Sequence, residues 1–155
     1  MQGSIDRRLA EFGIELPKPA PPAGAYVAFV LVGSLLVVSG QLPVRDGTLA
    51  YHGRVGGEIS TEDGIAAARL CGLNLLAQAR AGCDGDLDRV RRVVRLGGFI
   101  QASPGFTDHP KILNGASELM VDVFGPIGRH ARFAVGAPSL PLGAAVEIEA
   151  MFEVA

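Results

Sequence analysis

The sequence predicts an α+β protein in which helices cover one face of a mixed β-sheet. Two apolar, β-branched runs at residues 26–32 and 35–39 flank a Val-Gly-Ser turn and are typical of a hairpin. Two later segments, 61–81 and 109–124, carry apolar residues at helical spacing. Because the order is strand pair, helix, strand, helix, strand pair, both helices can return to the same face of one sheet.

The N-terminal segment predicts a short helix followed by an extended arm. Ser4 is placed to cap an amphipathic helix through Phe12, and Gly13 is placed to end it in the left-handed conformation. Proline cannot donate a backbone hydrogen bond, so the proline-rich arm that follows cannot join the interior of a sheet. We expect residues 1–155 to form a single domain, with residues 1–23 as its N-terminal helix and arm.

The middle of the chain predicts turns and then the clearest helix. Residues 44–57 contain an Asp-Gly and a Gly-Gly pair, which indicate short strands joined by turns. The helix is expected to begin at Thr61 and to run to about residue 81. Its apolar stripe consists of Ile65, Ala68, Gly72, Leu75, Leu76 and Ala79. The small residues in this stripe would let the helix lie close to a sheet.

A long strand and a second helix follow. Residues 89–101 predict the strand, and the Gly97-Gly98 pair inside it predicts a β-bulge. The helix at about 109–124 has an apolar stripe made of Ile112, Ala116, Leu119, Met120 and Val123.

The last two predicted strands, 132–137 and 144–153, bring opposite charges together. If a simple antiparallel connection joins them, Arg132 lies opposite Glu149 and diagonally from Glu147, at roughly 7–8 Å between backbones. Such a pair can hold a small anion between a fixed positive charge and a base. It can equally be a structural salt bridge, and the strand spacing alone favours the salt bridge.

Composition limits the classes of function. The chain is 48% hydrophobic and only 19% charged, which favours self-association because 155 residues offer limited interior volume. A net charge of −2 provides no bulk attraction to nucleic acid or to an anionic membrane. The apolar run 25–38 is too short to span a bilayer, and Cys71 and Cys83 are expected to be reduced, partly buried thiols. We therefore expect a cytoplasmic protein.

Several short motifs occur together and in a fixed order. They are Gly24-Ala25-Tyr26, Ser39-Gly40-Gln41-Leu42-Pro43, Asn114, His130-Ala131-Arg132 and Val146-Glu147-Ile148-Glu149-Ala150. In order and approximate spacing the chain resembles the reactive-intermediate deaminase (Rid, or YjgF) family over most of residues 24–153. The resemblance implies a chorismate-mutase-like fold and a homotrimer whose sheets form a central barrel, with sites in the clefts between subunits. It also implies hydrolysis of 2-imino acids, formed from enamines such as 2-aminoacrylate, to 2-keto acids and ammonia.

The resemblance also assigns roles to individual residues. Arg132 matches the family's carboxylate-binding arginine, and Glu147 matches the glutamate credited with activating water. Three further positions match residues that line the pocket: Tyr26, Ser39 and Asn114. Ala134 stands where family members often have cysteine, at a contact thought to involve mainly the backbone. Arginine suits a planar carboxylate because its donors are parallel and always charged, and a partly desolvated glutamate can serve as a base near neutral pH.

Two other functions remain open from the sequence. The same cleft can bind a small carboxylate or 2-keto acid without turnover, which Ala134 and the extended loops favour. RNA cleavage is a weaker alternative, because the basic run Arg89, Arg91, Arg92 and Arg95 has no stacking aromatics nearby and indicates a solvated strand face. The three histidines, His52, His109 and His130, have no spacing that converges on a metal and are interpreted as surface or loop residues. We expect no metal and no other cofactor.

Overall fold

A computed structural model describes residues 2–155 and contains three α-helices and seven strands. The helices are α1 (Ser4–Glu11), α2 (Thr61–Gly82) and α3 (His109–Phe124). The strands are β1 (Phe29–Val32), β2 (Leu35–Gln41), β3 (Val44–Arg45), β4 (Thr48–Leu49), β5 (Val90–Gln101), β6 (Ala131–Ala137) and β7 (Val146–Val154). Short 3₁₀ turns at Leu87–Arg89, Gly125–Gly128 and Pro141–Gly143 lead into the later strands.

Five strands form one mixed sheet in the order β1-β2-β7-β5-β6. The β5–β6 pair is parallel and the other neighbours are antiparallel. The remaining two strands, β3 and β4, form a separate small hairpin around Asp46 and Gly47, whose positive φ angles of 52° and 77° suit a tight turn. The predicted mixed sheet with α2 and α3 on one face is confirmed.

The core lies between the sheet and helices α2 and α3. On β7, alternate side chains are fully buried towards the helices, namely Val146, Ile148, Ala150 and Phe152. The two helices approach each other closely because small residues lie at their contact. A Cβ on Gly72 would be 2.9 Å from Leu119, and one on Gly115 would overlap the Ile65 carbonyl.

The N-terminal helix is anchored by a side chain from another segment. Ser4 was predicted to cap α1, but it is the first residue inside the helix. The backbone N–H groups of Ser4 and Ile5 donate to the Asp88 carboxylate at 2.7 and 3.0 Å, and the Ser4 hydroxyl donates to it as well. These bonds satisfy helix donors that have no partner within the helix, and Ile5 and Leu9 pack into the core.

The predicted bulge at Gly97-Gly98 is wrong. Register shifts occur earlier in β5, between Val90 and Arg92 and between Val93 and Arg95, while the glycine pair stays in register. The glycines instead leave room for neighbours on both faces of the sheet, because a Cβ on Gly97 would lie 2.6 Å from the Phe133 ring.

The predicted antiparallel pairing of the last two strands is also wrong. β6 lies at the sheet edge and pairs in parallel with β5, whereas β7 lies between β2 and β5. The parallel pairing requires a crossover connection between β5 and β6, which α3 provides, and the Pro141–Gly143 turn lies in the later return from β6 to β7. Arg132 and Glu147 are therefore separated by a whole strand.

The sheet face opposite the helices carries many exposed apolar side chains. Val30, Val32, Phe99 and Val135 are each at least 38% exposed on this face, which we call the open face. The Phe99 and Phe133 rings meet edge to face at 5.4 Å between centroids. Within residues 2–155 no helix is both long and apolar enough to span a membrane.

Candidate functional site

Arg132 is held against helix α3. It lies near the start of β6, beside Leu96 of β5, whose side chain is buried on the helix side of the sheet. Its Nη1 donates to the Ser117 hydroxyl at 2.9 Å and its Nη2 donates to the Pro110 carbonyl at 3.1 Å. Two partners on one helix fix the plane of the guanidinium, and its other N–H groups remain available to a ligand.

The Ser117 hydroxyl is itself oriented by His130. The His130 Nδ1 lies 2.7 Å from the Gly128 carbonyl, which can only accept, so Nδ1 carries the proton. The neutral Nε2, 2.9 Å from the Ser117 hydroxyl, then accepts the serine proton. Burial lowers the pKa of His130, with the nearby Arg132 charge acting in the same direction, so the neutral ring is favoured. The serine lone pair is thereby turned towards the guanidinium.

An open groove of about 460 Å³ lies beside this arginine between α3 and β6. We call it the arginine groove, and it is lined by Asn114, Ser117, Glu118, Val121, Asp122, Arg129, His130 and Arg132. Asn114 precedes Ser117 by one helical turn, so both face the groove. Two of the predicted site residues, Arg132 and Asn114, are thus brought together.

Glu147 lies on the other side of the sheet. Its strand partner on β5 is Phe99, three residues beyond the partner of Arg132, and the two side chains project from opposite faces. Strand spacings of about 4.8 Å and a rise of about 3.3 Å per residue place the two Cα atoms roughly 14 Å apart. The predicted diagonal contact with Arg132, and the alternative salt bridge, are therefore wrong within one chain.

The environment of Glu147 differs from that of Glu149, the next carboxylate along the same face. Its side chain packs against Gly40, where a Cβ would lie 2.5 Å from Glu147 Oε1. Burial raises the pKa of Glu147 above its ordinary value. Glu149 instead forms a salt bridge with Arg95, which is consistent with the structural role expected for Glu149.

A second pocket, of about 280 Å³, lies next to Gly40 and beneath the proline-rich arm. We call it the arm pocket. Tyr26 lines it, and its hydroxyl accepts a hydrogen bond from the Ala23 N–H at 3.2 Å. The Ser39 hydroxyl donates to the Val27 carbonyl at 2.8 Å and so fastens the preceding loop to the end of β2. Tyr26, Ser39 and Glu147 therefore lie around the Gly40 region, away from the arginine groove.

Ala134 lies two residues beyond Arg132 on β6, opposite Gly98, and its side chain packs against the core. A methyl group brings no polar atom to the site, so any contact of Ala134 with a ligand would use its backbone.

Sequence reasoning missed Ser117, and it expected His130 to be a surface or loop residue; His130 does lie in a loop, but its role in the site was not foreseen. The ring of His130 is half-buried and hydrogen-bonded at both nitrogens. The available signal was spacing: Asn114 and Ser117 are three apart on a helix, and His130 lies in the loop two residues before Arg132.

Neither the basic run nor the histidines give evidence of an RNA-binding or metal-binding site. Three of the four arginines contact protein groups: Arg89 binds Asp84, Arg92 donates to the Arg129 carbonyl, and Arg95 pairs with Glu149. Among residues 2–155 no cluster of three or more His, Cys, Asp or Glu side chains has the arrangement needed to hold a metal ion.

Comparison with known proteins places this chain and its fold in one family. The family model described as "YjgF/chorismate_mutase-like, putative endoribonuclease" matches residues 6–153. Protein TCP17 of Trypanosoma cruzi is 47% identical over 152 residues, covering 97% of this chain and 94% of TCP17. The chain therefore belongs to the YjgF family, which confirms the resemblance seen in the sequence.

Two solved structures are similar along nearly the whole chain. Atu1372 of Agrobacterium tumefaciens, described as of unknown function, is 46% identical with a TM-score of 0.91 and covers 97% of this chain and 92% of its own. A Shewanella oneidensis protein described as a "putative endoribonuclease" is 37% identical with a TM-score of 0.94, covering 98% and 100%. The N-terminal helix and arm lie within these matched lengths.

Proposed function

We propose that the protein hydrolyses 2-imino acids to 2-keto acids and ammonia. The observation that carries the proposal is the pre-oriented guanidinium of Arg132, fixed by Ser117 and Pro110 with donors left for the arginine groove. A 2-imino acid offers a carboxylate directly beside its C=N carbon. The C=N carbon is bonded directly to the carboxylate carbon. Binding the carboxylate to a fixed guanidinium therefore also fixes the position of the reactive carbon.

The proposed catalytic base is Glu147, acting across an interface between two copies of the chain. Within one chain the Arg132 and Glu147 side chains project from opposite faces of the sheet. A cleft containing both therefore needs the arginine groove of one copy next to the Glu147 region of another. The exposed apolar side chains of the open face support self-association, and we propose the homotrimer implied by the family resemblance.

The proposed chemistry needs only water and this carboxylate. Glu147 takes a proton from water as the oxygen attacks the carbon of the protonated imine, whose C=N electron pair moves to nitrogen and gives an amine. Glu147 then returns that proton to the amine nitrogen; the C–N bond breaks, ammonia leaves, and the hydroxyl loses its proton to water as the keto C=O bond forms. Burial raises the pKa of Glu147 above its ordinary value, and a raised pKa makes its carboxylate a stronger base towards the attacking water.

The test is decay of imines generated in situ by an amino-acid oxidase and trapped as semicarbazones. The wild-type protein is expected to reduce semicarbazone formation. Arg132→Ala and Glu147→Gln should each remove the effect, and Arg132→Lys should restore little because an ammonium cannot reproduce the planar pair of donors. If the wild type speeds decay no more than Arg132→Ala does, the proposal is wrong for those substrates.

The trimer has its own measurement. Light scattering coupled to size exclusion should give a mass near three times the 16.1 kDa chain mass. A monomer that still hydrolyses imines would contradict the shared cleft.

Binding without turnover is the second candidate function. Within one chain Arg132 is already held in place for a carboxylate, whereas Glu147 lies too far away to act on a ligand bound there. Calorimetric binding of pyruvate that Arg132→Ala abolishes, with no catalysis across a panel of imines, would favour it. The endoribonuclease description attached to the family gives a third test, in which wild-type and Arg92→Glu proteins are incubated with RNA. The arginine contacts described above favour no cleavage by either protein.

A further inference from the structure

The arm pocket is a built cavity formed partly by the proline-rich arm. Its wall is mostly apolar and consists of Ala20, Pro21, Pro22, Ala23, Tyr26, Ala28, Gly40, Gln41, Leu42, Val44, Gly47, Asn74 and Leu142. The arm, the β3–β4 hairpin, helix α2 and the loop before β7 all contribute. The mechanism proposed above uses Glu147, which lies next to this pocket, but leaves the interior of the pocket without a role.

Buried amides hold the walls of the pocket in place. Gln78, only 1% exposed, donates from Nε2 to the Ala20 carbonyl at 2.8 Å and ties the arm to α2. Asn74, 4% exposed, donates from Nδ2 to the Leu42 and Val44 carbonyls, both at 3.0 Å, and ties the strand end and hairpin to the same helix. The cavity is therefore preformed, because its walls are fastened by hydrogen bonds from one rigid helix.

The pocket adjoins the proposed catalytic base. The backbone of Gly40 lies in the pocket wall, and the Glu147 carboxylate packs against the same glycine on its Cβ side. Tyr26 also lines the pocket and is 51% exposed at its mouth. If the imine carbon of a ligand lies near Glu147, the side chain attached to that carbon can therefore reach this apolar cavity.

We infer that the arm pocket binds the side chain of the 2-imino acid and that this side chain is large and apolar, either branched aliphatic or benzyl. This inference rests on the proposed function. An apolar cavity of about 150 Å³ is enough to hold benzene, and the arm pocket measures about 280 Å³. The methylene group of 2-aminoacrylate would leave most of it empty or filled with water among apolar walls. A leucine- or phenylalanine-derived imino acid would fill it.

The reaction itself is unchanged by the larger side chain. Water adds to the C=N carbon, the C–N bond breaks, ammonia leaves, and the product is the 2-keto acid with the same branched or aromatic substituent. The pocket acts on kcat/KM, since apolar contacts made by the side chain hold the imine carbon near Glu147.

The experiment compares kcat/KM for imines of leucine, phenylalanine and alanine, generated in situ by an oxidase and followed by semicarbazone trapping. The wild type is expected to favour the leucine and phenylalanine imines over the alanine imine by at least about tenfold, because each buried methylene in an apolar pocket contributes roughly 10-fold or more to discrimination. Ala28→Leu, which fills the pocket, should reduce the larger substrates by about tenfold and leave the alanine imine within about twofold.

Two more variants serve as controls for misfolding and for nonspecific effects of added bulk. Leu142→Ala changes a side chain that is 74% exposed and so is expected to fold; it should reduce the preference for the larger substrates by removing one apolar wall. Ala81→Leu adds the same bulk at an exposed alanine of α2 that does not line the arm pocket, and it should leave every rate unchanged.

The outcomes separate the two proposals. Hydrolysis of all three imines at equal rates, or best with the alanine imine, would refute the side-chain pocket and leave the deaminase function standing. If no imine is hydrolysed, calorimetric titration with 4-methyl-2-oxopentanoate and pyruvate replaces the rates. Tighter binding of the larger keto acid, weakened by Ala28→Leu, would then support the pocket although the deaminase proposal had failed, and equal or no binding would refute the pocket.

Discussion

Replacing Ser117 with alanine tests whether the hydrogen-bonded chain from His130 prepares Arg132 for ligands. In the wild type the serine accepts from Arg132 Nη1 at 2.9 Å and donates to His130 Nε2 at the same distance. Alanine removes the link while leaving the Pro110 carbonyl as the only remaining α3 partner of the guanidinium. The arginine would keep its charge but lose one of the two contacts that fix its plane.

The size of the effect follows from the contact removed. A hydrogen bond to a charged group contributes about 1.5–3 kcal/mol when its loss leaves a partner unmet. Arg132 is only partly buried, so water can replace the lost acceptor, and about 1 kcal/mol is the expected cost. That corresponds to about fivefold weaker carboxylate binding. Arg132→Ala removes the charge itself and should weaken binding more than about 100-fold, or about 3 kcal/mol.

The assay is calorimetric titration with a 2-keto acid, together with KM and kcat for the imine it corresponds to. Ser117→Ala should raise Kd and KM by similar factors and change kcat less, since it disturbs binding of the carboxylate and leaves the base intact. Ser117→Thr keeps a hydroxyl and should restore affinity. Alanine is also the better helix former, so stability should not fall.

Two results would refute this reasoning. One is wild-type affinity in Ser117→Ala, which would mean that the Pro110 carbonyl alone fixes the guanidinium. The other is an equal loss in Ser117→Ala and Ser117→Thr, which would point to packing at this position. His130→Phe supplies a graded check, because it removes the acceptor that orients the serine and should weaken binding by less than Ser117→Ala does.

Three further predictions concern stability. Glu147→Gln should stabilise the fold at neutral pH. Burial raises the pKa of Glu147 in the folded state, so the ionised wild-type carboxylate lowers the free energy of unfolding above that pKa. The gain from the substitution should vanish below the ordinary pKa of 4.5, where the carboxyl group is protonated in both states. Urea titrations at pH 4 and pH 8 measure this, and an equal gain at both would contradict it. Asp88→Ala should cost about 1–2 kcal/mol by removing the carboxylate that caps α1. Because hydrogen bonding from Ser4 lowers the Asp88 pKa, the wild-type advantage should persist above 3.8 and disappear as pH falls through the lower folded value; a constant difference down to pH 2 would refute this. Gly115→Ala should destabilise despite a helix-propensity gain of about 1 kcal/mol, because the new Cβ overlaps the Ile65 carbonyl, and a raised Tm would refute that.

Much of the fold was predictable because its signals are local. The helix α3 was expected at 109–124 and occupies His109–Phe124, since a continuous apolar stripe and flanking turn residues define it without reference to the rest of the chain. The first hairpin was likewise marked by two apolar runs about a glycine with positive φ. Strand pairing was not predictable in this way. Whether β6 pairs with β7 or joins the far edge beside β5 depends on which strand already occupies the middle of the sheet.

The site was predictable in its residue types and not in its arrangement. The motifs around Arg132 and Glu147 identified two chemically suitable groups, but their relation depended on the pairing just described. Sheet order separates them by β5, and the strand register together with alternation along each strand puts their side chains on opposite faces. The spacing of Asn114 and Ser117 indicated a shared helix face, but the role of Ser117 depends on α3 lying beside β6, a contact that spacing within one segment does not reveal.

The contrast between Glu147 and Glu149 argues that the site lies between copies of the chain. The two residues are neighbours on the same face of β7, and both are paired with β5. Glu149 has its cation, Arg95, within the chain. Within residues 2–155 Glu147 forms no salt bridge, and its pKa is raised by burial with no cation to offset it. A fold rarely keeps an uncompensated, partly buried carboxylate unless that group has a function. If the arginine groove of a second copy faces it, as we propose, that copy supplies both the missing positive charge and the bound substrate, and mixing Arg132→Ala with Glu147→Gln subunits should restore part of the activity that each variant lacks alone.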